Sequence, residues 1–90
     1  MTHAVREKSK IVSRVNRLKG QLDAFAKAIE AEDDCYQVMQ LLASCRGALN
    51  GLMGDIIEQH IREHIVEAEN KKVATEAGEE LVDIMKSFWK

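Results

Sequence analysis

Two apolar stripes of identical spacing constrain this chain more than any other feature. Ile11, Val15, Leu18, Leu22, Phe25 and Ile29 recur at intervals of 4, 3, 4, 3 and 4. Val38, Leu42, Cys45, Leu49, Leu52 and Ile56 repeat the same intervals. Such heptad-like spacing places every member on one side of a helix and gives a strand no apolar face. The spacing predicts one helix over about 5–30 and a second over about 36–66. The acidic, aperiodic stretch 30–34 reads as the turn between them, with Asp33 or Asp34 suited to cap the second helix at its positive end.

Asn50-Gly51 is a strong hairpin signal, but its flanks have helical rather than alternating period, so the second helix is read through it. Gly20 costs the first helix about 1 kcal/mol against alanine, and it reads as a point of close packing. Arg46-Gly47-Ala48-Leu49-Asn50-Gly51-Leu52-Met53 reads likewise as a tight helix crossing. After a polar linker at 68–72, a shorter helix is expected over about 73–89. Ala77, Leu81, Ile84 and Phe88 lie on one face of it, with Val82, Met85 and Trp89 beside them. The absence of proline and an aromatic content of 4% agree with an all-α reading.

Ninety residues make one domain, 1–90, with a modest core. The chain is therefore expected to pair two long antiparallel helices and add a short C-terminal one. A single copy cannot cover both long stripes, and a dimer closing a four-helix bundle would. No apolar run approaches the roughly 18–20 residues of a membrane span, so no membrane partner is expected. The N-terminus MTHAVREKSK has no apolar signal region. A cytoplasmic protein is expected, and in that compartment Cys35 and Cys45 read as thiols or ligands rather than a disulfide.

The net charge of −2 conceals an asymmetry. Residues 1–20 carry six basic side chains against Glu7, whereas the remaining seventy carry seven basic and fourteen acidic ones. A basic end on an acidic body suits a polyanion. Arg6, Lys10, Arg14 and Arg17 follow helical spacing beside the apolar stripe, as repeated phosphate contacts require. No helix-turn-helix or zinc-finger spacing accompanies them. A solvated helix face explains the same cluster, so the charges alone permit DNA binding without establishing it.

His60-Ile61-Arg62-Glu63-His64 sets two histidines four apart, a ready pair of metal ligands on a helix. The string also fits the H-x-x-E-H pattern of metallopeptidases. Ninety helical residues offer little of the cleft and third ligand that hydrolysis needs, and Glu63 then reads as a surface residue. Cys35 opens the second helix, where the dipole favours the thiolate. A helical metallohydrolase using His60, Glu63 and His64, and a purely structural helical dimer, remain as alternatives on this evidence.

Taken together, Arg46 to Met53, the pattern Arg14-x-x-Arg17-x-x-Gly20-Gln21, Cys35, and His60 with His64 resemble the CsoR/RcnR/FrmR family of bacterial repressors. The resemblance covers nearly the whole chain. It implies an all-helical, disc-like homotetramer, a dimer of dimers, that binds double-stranded operator DNA and releases it on binding an effector. It implies no enzyme. Lys10, Arg14, Arg17 and Arg46 are the implied DNA contacts.

Copper sensors of this family use a Cys-His-Cys set and persulfide sensors a cysteine pair. His64 stands where both would have their second cysteine. The nickel and cobalt repressors use an N-terminal histidine, the cysteine opening helix 2, and two histidines near the end of that helix. His3, Cys35, His60 and His64 match all four, and Glu63-His64-Ile65-Val66 also resembles that subtype. Thr2 is small enough for the initiator methionine to be removed, which would free its α-amine as a further ligand. The resemblance thus implies a nickel or cobalt effector (zinc possible in vitro) and derepression of a metal efflux gene. Formaldehyde sensors pair the cysteine with an N-terminal proline. With Thr2 here, sensing through Cys35 and the terminal amine is the second reading. Cys45 departs from an often aliphatic position and reads as a small buried hydrophobe.

Overall fold

The computed structural model describes residues 5–88 and contains three α-helices and a π-helical turn. Helix α1 is Lys8–Glu30, α2 is Cys35–Ile61, the π-helical turn is Arg62–Val66, and α3 is Lys71–Phe88. No strand occurs among the described residues. Asn50 and Gly51 are helical, as their flanks require. The chain forms two compact units, one up to Gly54 and one from Asp55 onward, with α2 running through both.

In the first unit α1 ends without a glycine. Glu32 takes the left-handed conformation, with φ of 57°. Its N–H donates to the Ile29 carbonyl at 3.1 Å, and the Asp33 N–H donates to the Ala28 carbonyl at 3.0 Å. This is the Schellman pattern, which satisfies the last carbonyls of the helix. The first turn of α2 closes on the Asp34 carbonyl, which accepts from the Val38 N–H at 3.1 Å. Gln21 Nε2 then donates to Ser44 Oγ at 2.9 Å. Gln21 and Ser44 are equally far in sequence from the middle of the turn, so the two helices run back alongside each other.

The burial pattern divides each apolar stripe between two seams. The covered positions of α1 are Ile11, Arg14, Leu18, Gln21, Phe25 and Ala28, with Val15 beside them. Those of α2 in this unit are Val38, Leu41, Cys45, Ala48 and Leu52, with Met53 beside them. Ala28 and Cys45 are the most enclosed, at 4% and 5% exposure. Leu22, Ile29, Leu42 and Leu49 belong to the stripes but remain about half exposed. The face covered within one chain is thus rotated from the stripe read by spacing, and two polar residues, Arg14 and Gln21, enter it. Among the described residues the expected close packing at glycine is not found. A Cβ at Gly20, Gly47 or Gly51 would meet nothing within 4 Å.

The second unit contains the end of α2, the π-helical turn and α3. The expected second helix over 36–66 gives way after Ile61 to a wider turn, closed by the Glu67 N–H on the Arg62 carbonyl at 2.9 Å. α3 begins earlier than its apolar pattern suggests because Asn70 caps it. Its Oδ1 accepts from the Val73 N–H at 2.9 Å, and its carbonyl accepts from the Ala74 N–H at 3.2 Å. α3 packs against the π-helical turn. Ala77 is buried, and Ala74, Gly78, Leu81 and Met85 are half-buried, whereas Ile84 and Phe88 are exposed. The expected face Ala77, Leu81, Ile84 and Phe88 is therefore turned toward Met85. Trp89 lies outside the described residues. Among the described residues no helix is long and apolar enough to cross a membrane.

Candidate metal centre and nucleic-acid interface

His60 occupies the last turn of α2 and His64 the π-helical turn that follows. Four residues apart, the two rings lie together across this junction: their centroids are 5.1 Å apart, with the planes inclined at 58°. His60 Nε2 lies 3.1 Å from the Ala77 carbonyl oxygen of α3. A carbonyl only accepts, so the bond needs the proton on Nε2. In the neutral ring Nδ1 then keeps its lone pair for a Lewis acid. A metal-bound imidazole is commonly oriented by a carbonyl on its other nitrogen in this way.

Glu63 is not the surface residue expected. Its side chain is 12% exposed and that of His64 is 21%. Glu63 Oε2 accepts from Gln59 Nε2 at 3.2 Å and lies 3.8 Å from His64 Nε2. The carboxylate thus packs beside the second imidazole.

Of the remaining expected ligands, Cys35 is the first residue of α2, in the first unit, as an exposed free thiol. Thr2 and His3 lie outside the described residues. Among the described residues no three histidine, cysteine or acidic side chains gather into a group able to hold a metal ion. The structure therefore brings together His60 and His64. Cys45 is buried, as its place on the apolar stripe suggests.

Lys10, Arg14 and Arg17 lie on α1 and Arg46 on α2, all in the first unit. Lys10, Arg17 and Arg46 are exposed, and Lys10 also lies 4.0 Å from Glu7. Arg14 is half-buried, on the seam rather than beside it, which corrects the outward-facing array expected from spacing. Spacing missed the seam because the broad apolar stripe is compatible with more than one rotation of the helix. Asn70, the π-helical turn and the Gln21–Ser44 bond were also missed. Of these only Asn70 carried a signal, as a cap-forming residue just before an apolar-periodic run.

The family model for metal-sensitive transcriptional repressors matches residues 7–87. The chain belongs to this repressor family. It is 33% identical to the transcriptional repressor RcnR of Citrobacter koseri over 90 residues, with both chains covered completely. It is also 38% identical, over the full length of both, to an uncharacterised protein encoded in the bioA 5′ region of Serratia marcescens. Among solved structures it resembles a glutamate-to-histidine variant of the formaldehyde-responsive regulator FrmR from Salmonella enterica serovar Typhimurium. That likeness has a TM-score of 0.83 at 31% identity, covering 97% of this chain and 99% of that one. Members of the metal-sensitive repressor family are transcription regulators, not enzymes. The H-x-x-E-H pattern in this repressor is therefore no peptidase site, and its histidine spacing is the informative part.

Proposed function

We propose that this repressor holds operator DNA in its effector-free form and releases it on binding nickel or cobalt, derepressing metal efflux. The observation that carries the metal half is the His60–His64 pair, 5.1 Å apart, with His60 Nε2 occupied by the Ala77 carbonyl. Cys35, His60, His64, His3 and the amine of Thr2 form the proposed ligand set. Imidazole and thiolate together fit late first-row divalent ions. When bound, such an ion supplies a Lewis acid shared by groups distant in sequence. The chain's part is to present His60 Nδ1 and His64 from α2 and its π-helical turn, and a thiolate from the positive end of α2. The half-exposed Leu22, Ile29, Leu42 and Leu49 support assembly with further copies, closing a four-helix bundle and then a tetramer. In that assembly Cys35 of one copy would complete the ligand set of another.

Lys10, Arg14, Arg17 and Arg46 supply the phosphate contacts. Such a surface reads backbone and groove shape, which suits G·C-rich, A-like DNA. Movement of the N-terminal segment toward the bound ion would reorder α1 and weaken these contacts. Coupling of this kind is typically about 1–3 kcal/mol. Cobalt(II) absorption tests the ligand set. A thiolate-to-cobalt charge-transfer band is expected and should vanish in Cys35→Ala; a band that survives removes Cys35 from the set.

The likeness to FrmR and the exposed Cys35 thiol favour a second reading. Formaldehyde would bridge the Cys35 sulfur and the terminal amine through a methylene group, with loss of water.

A further inference from the structure

Gly20 stands in the middle of α1, where only proline is a poorer helix former than glycine. It is exposed, and a Cβ there would meet nothing within 4 Å. The chain's own packing therefore does not call for it. Assembly through the apolar stripe does not call for it either. At 100° per residue, Leu22 and Ile29 lie about 160–180° around the helix from Gly20, on its opposite side.

The line on which Gly20 lies has a composition of its own. Ser9, Ser13, Asn16 and Gly20 follow one another at intervals of 4, 3 and 4, and all four are exposed. The other three lie within about 40° of Gly20 around the helix. Each of the four is a weaker helix former than alanine, lysine or glutamate, which serve a merely solvated face better. Lys10 and Arg17 flank the line on one side, about 60–80° from Gly20. Lys8 and Lys19, with Val12 between them, flank it on the other at about 80–120°. From Lys8 to Leu22 α1 has no carboxylate. The line is thus a shallow track of hydroxyls, an amide and bare backbone between two rows of cations. Two such faces repel each other, and each attracts a polyanion. Its groups are those that phosphate backbones meet: arginine and lysine for charge, serine and asparagine as further hydrogen-bond donors, glycine where two backbones come close.

We propose that Ser9, Ser13, Asn16 and Gly20 form a track that seats one phosphate backbone of the operator along α1. The hydroxyls of Ser9 and Ser13 and the Asn16 amide donate to phosphate oxygens, and Gly20 gives the duplex its closest approach to the helix. Lys10 and Arg17 then reach phosphates from the side. This rests on the DNA-binding reading above and adds to it four uncharged residues.

The test measures binding to a duplex that the effector-free protein itself selects from a random library, across a salt series. Thermal melting and sedimentation velocity of the free protein run alongside. Arg17→Ala is the control for loss of a charged contact and should lower the salt slope by about one. Gly20→Gln should melt at or above the temperature of the unaltered chain, because glutamine is the better helix former. It should sediment as the unaltered chain does and bind the duplex about tenfold more weakly. Asn16→Ala should also keep its stability and bind about fivefold more weakly, with the salt slope unchanged because no charge is lost. Full affinity in both variants, while Arg17→Ala binds weakly, overturns the proposal and leaves the DNA reading intact. A changed sedimentation coefficient in Gly20→Gln, with affinity lost in step, assigns the face to a second copy and overturns it. A lower melting temperature in both variants, with affinity lost in step, shows a merely structural role and overturns it as well. Failure of the unaltered chain to select any duplex removes both readings.

Discussion

His60 of α2 and Ala77 of α3 are joined by a hydrogen bond, Nε2 to carbonyl oxygen, at 3.1 Å. The bonded nitrogen of the imidazole ties α2 to α3, and the other is the one proposed to bind the effector. The bond commits His60 to the Nε2–H tautomer. Long-range proton–nitrogen NMR of the metal-free protein at mildly alkaline pH should show a protonated Nε2 and a bare Nδ1. His60→Ala should lower stability by about 1–2 kcal/mol through the lost bond and packing. The opposite tautomer would remove the geometric basis for a His60 ligand.

Asn70 starts α3 by accepting from the Val73 N–H at 2.9 Å. Asn70→Ala should cost about 1 kcal/mol, as loss of a cap does elsewhere. Urea denaturation at fixed protein concentration measures it.

Glu32 holds the left-handed position that ends α1, with φ of 57°. Glycine reaches this conformation without the Cβ conflict that costs other residues about 1–2 kcal/mol. Glu32→Gly should therefore raise the denaturation midpoint, offset in part by its freer unfolded chain. A lower midpoint would contradict the assignment of Glu32 as the helix-terminating residue.

Cys35 is exposed and Cys45 is 5% exposed. A thiol reagent should modify Cys35 in the native protein and Cys45 only on unfolding, as mass spectrometry would show. Cys45→Ala should cost about 1–2 kcal/mol by truncating a packed side chain and leave the effector response unchanged. Prompt modification of both thiols would contradict the enclosed position of Cys45.

The helices and the histidine pair were legible in the sequence because both depend on local period. Intervals of 4 and 3 define a face whatever the partner, and two histidines four apart meet on any helix. The rotation of α1 was not legible. Leu22 and Ile29 look like core residues by spacing, yet they remain about half exposed within one chain. The π-helical turn left no mark either, because Arg62–Val66 contains neither proline nor glycine. Glu63 was misread for the same reason: a wider turn changes which side chains are covered. Cys35 was legible as a helix-opening thiol, and it stands exposed at the start of α2.

The central claim is that effector binding and DNA release are one equilibrium, with Cys35 on the effector side and the cations of α1 on the other. Fluorescence anisotropy of a labelled duplex, selected by the metal-free protein and bound to it, tests this directly. Nickel, cobalt, zinc, copper(I) and formaldehyde are added to separate samples. Nickel or cobalt should lower the anisotropy to that of free duplex, and Cys35→Ala should bind the duplex normally while failing to release it. Release by formaldehyde alone, or metal-driven release that survives Cys35→Ala, would contradict the account.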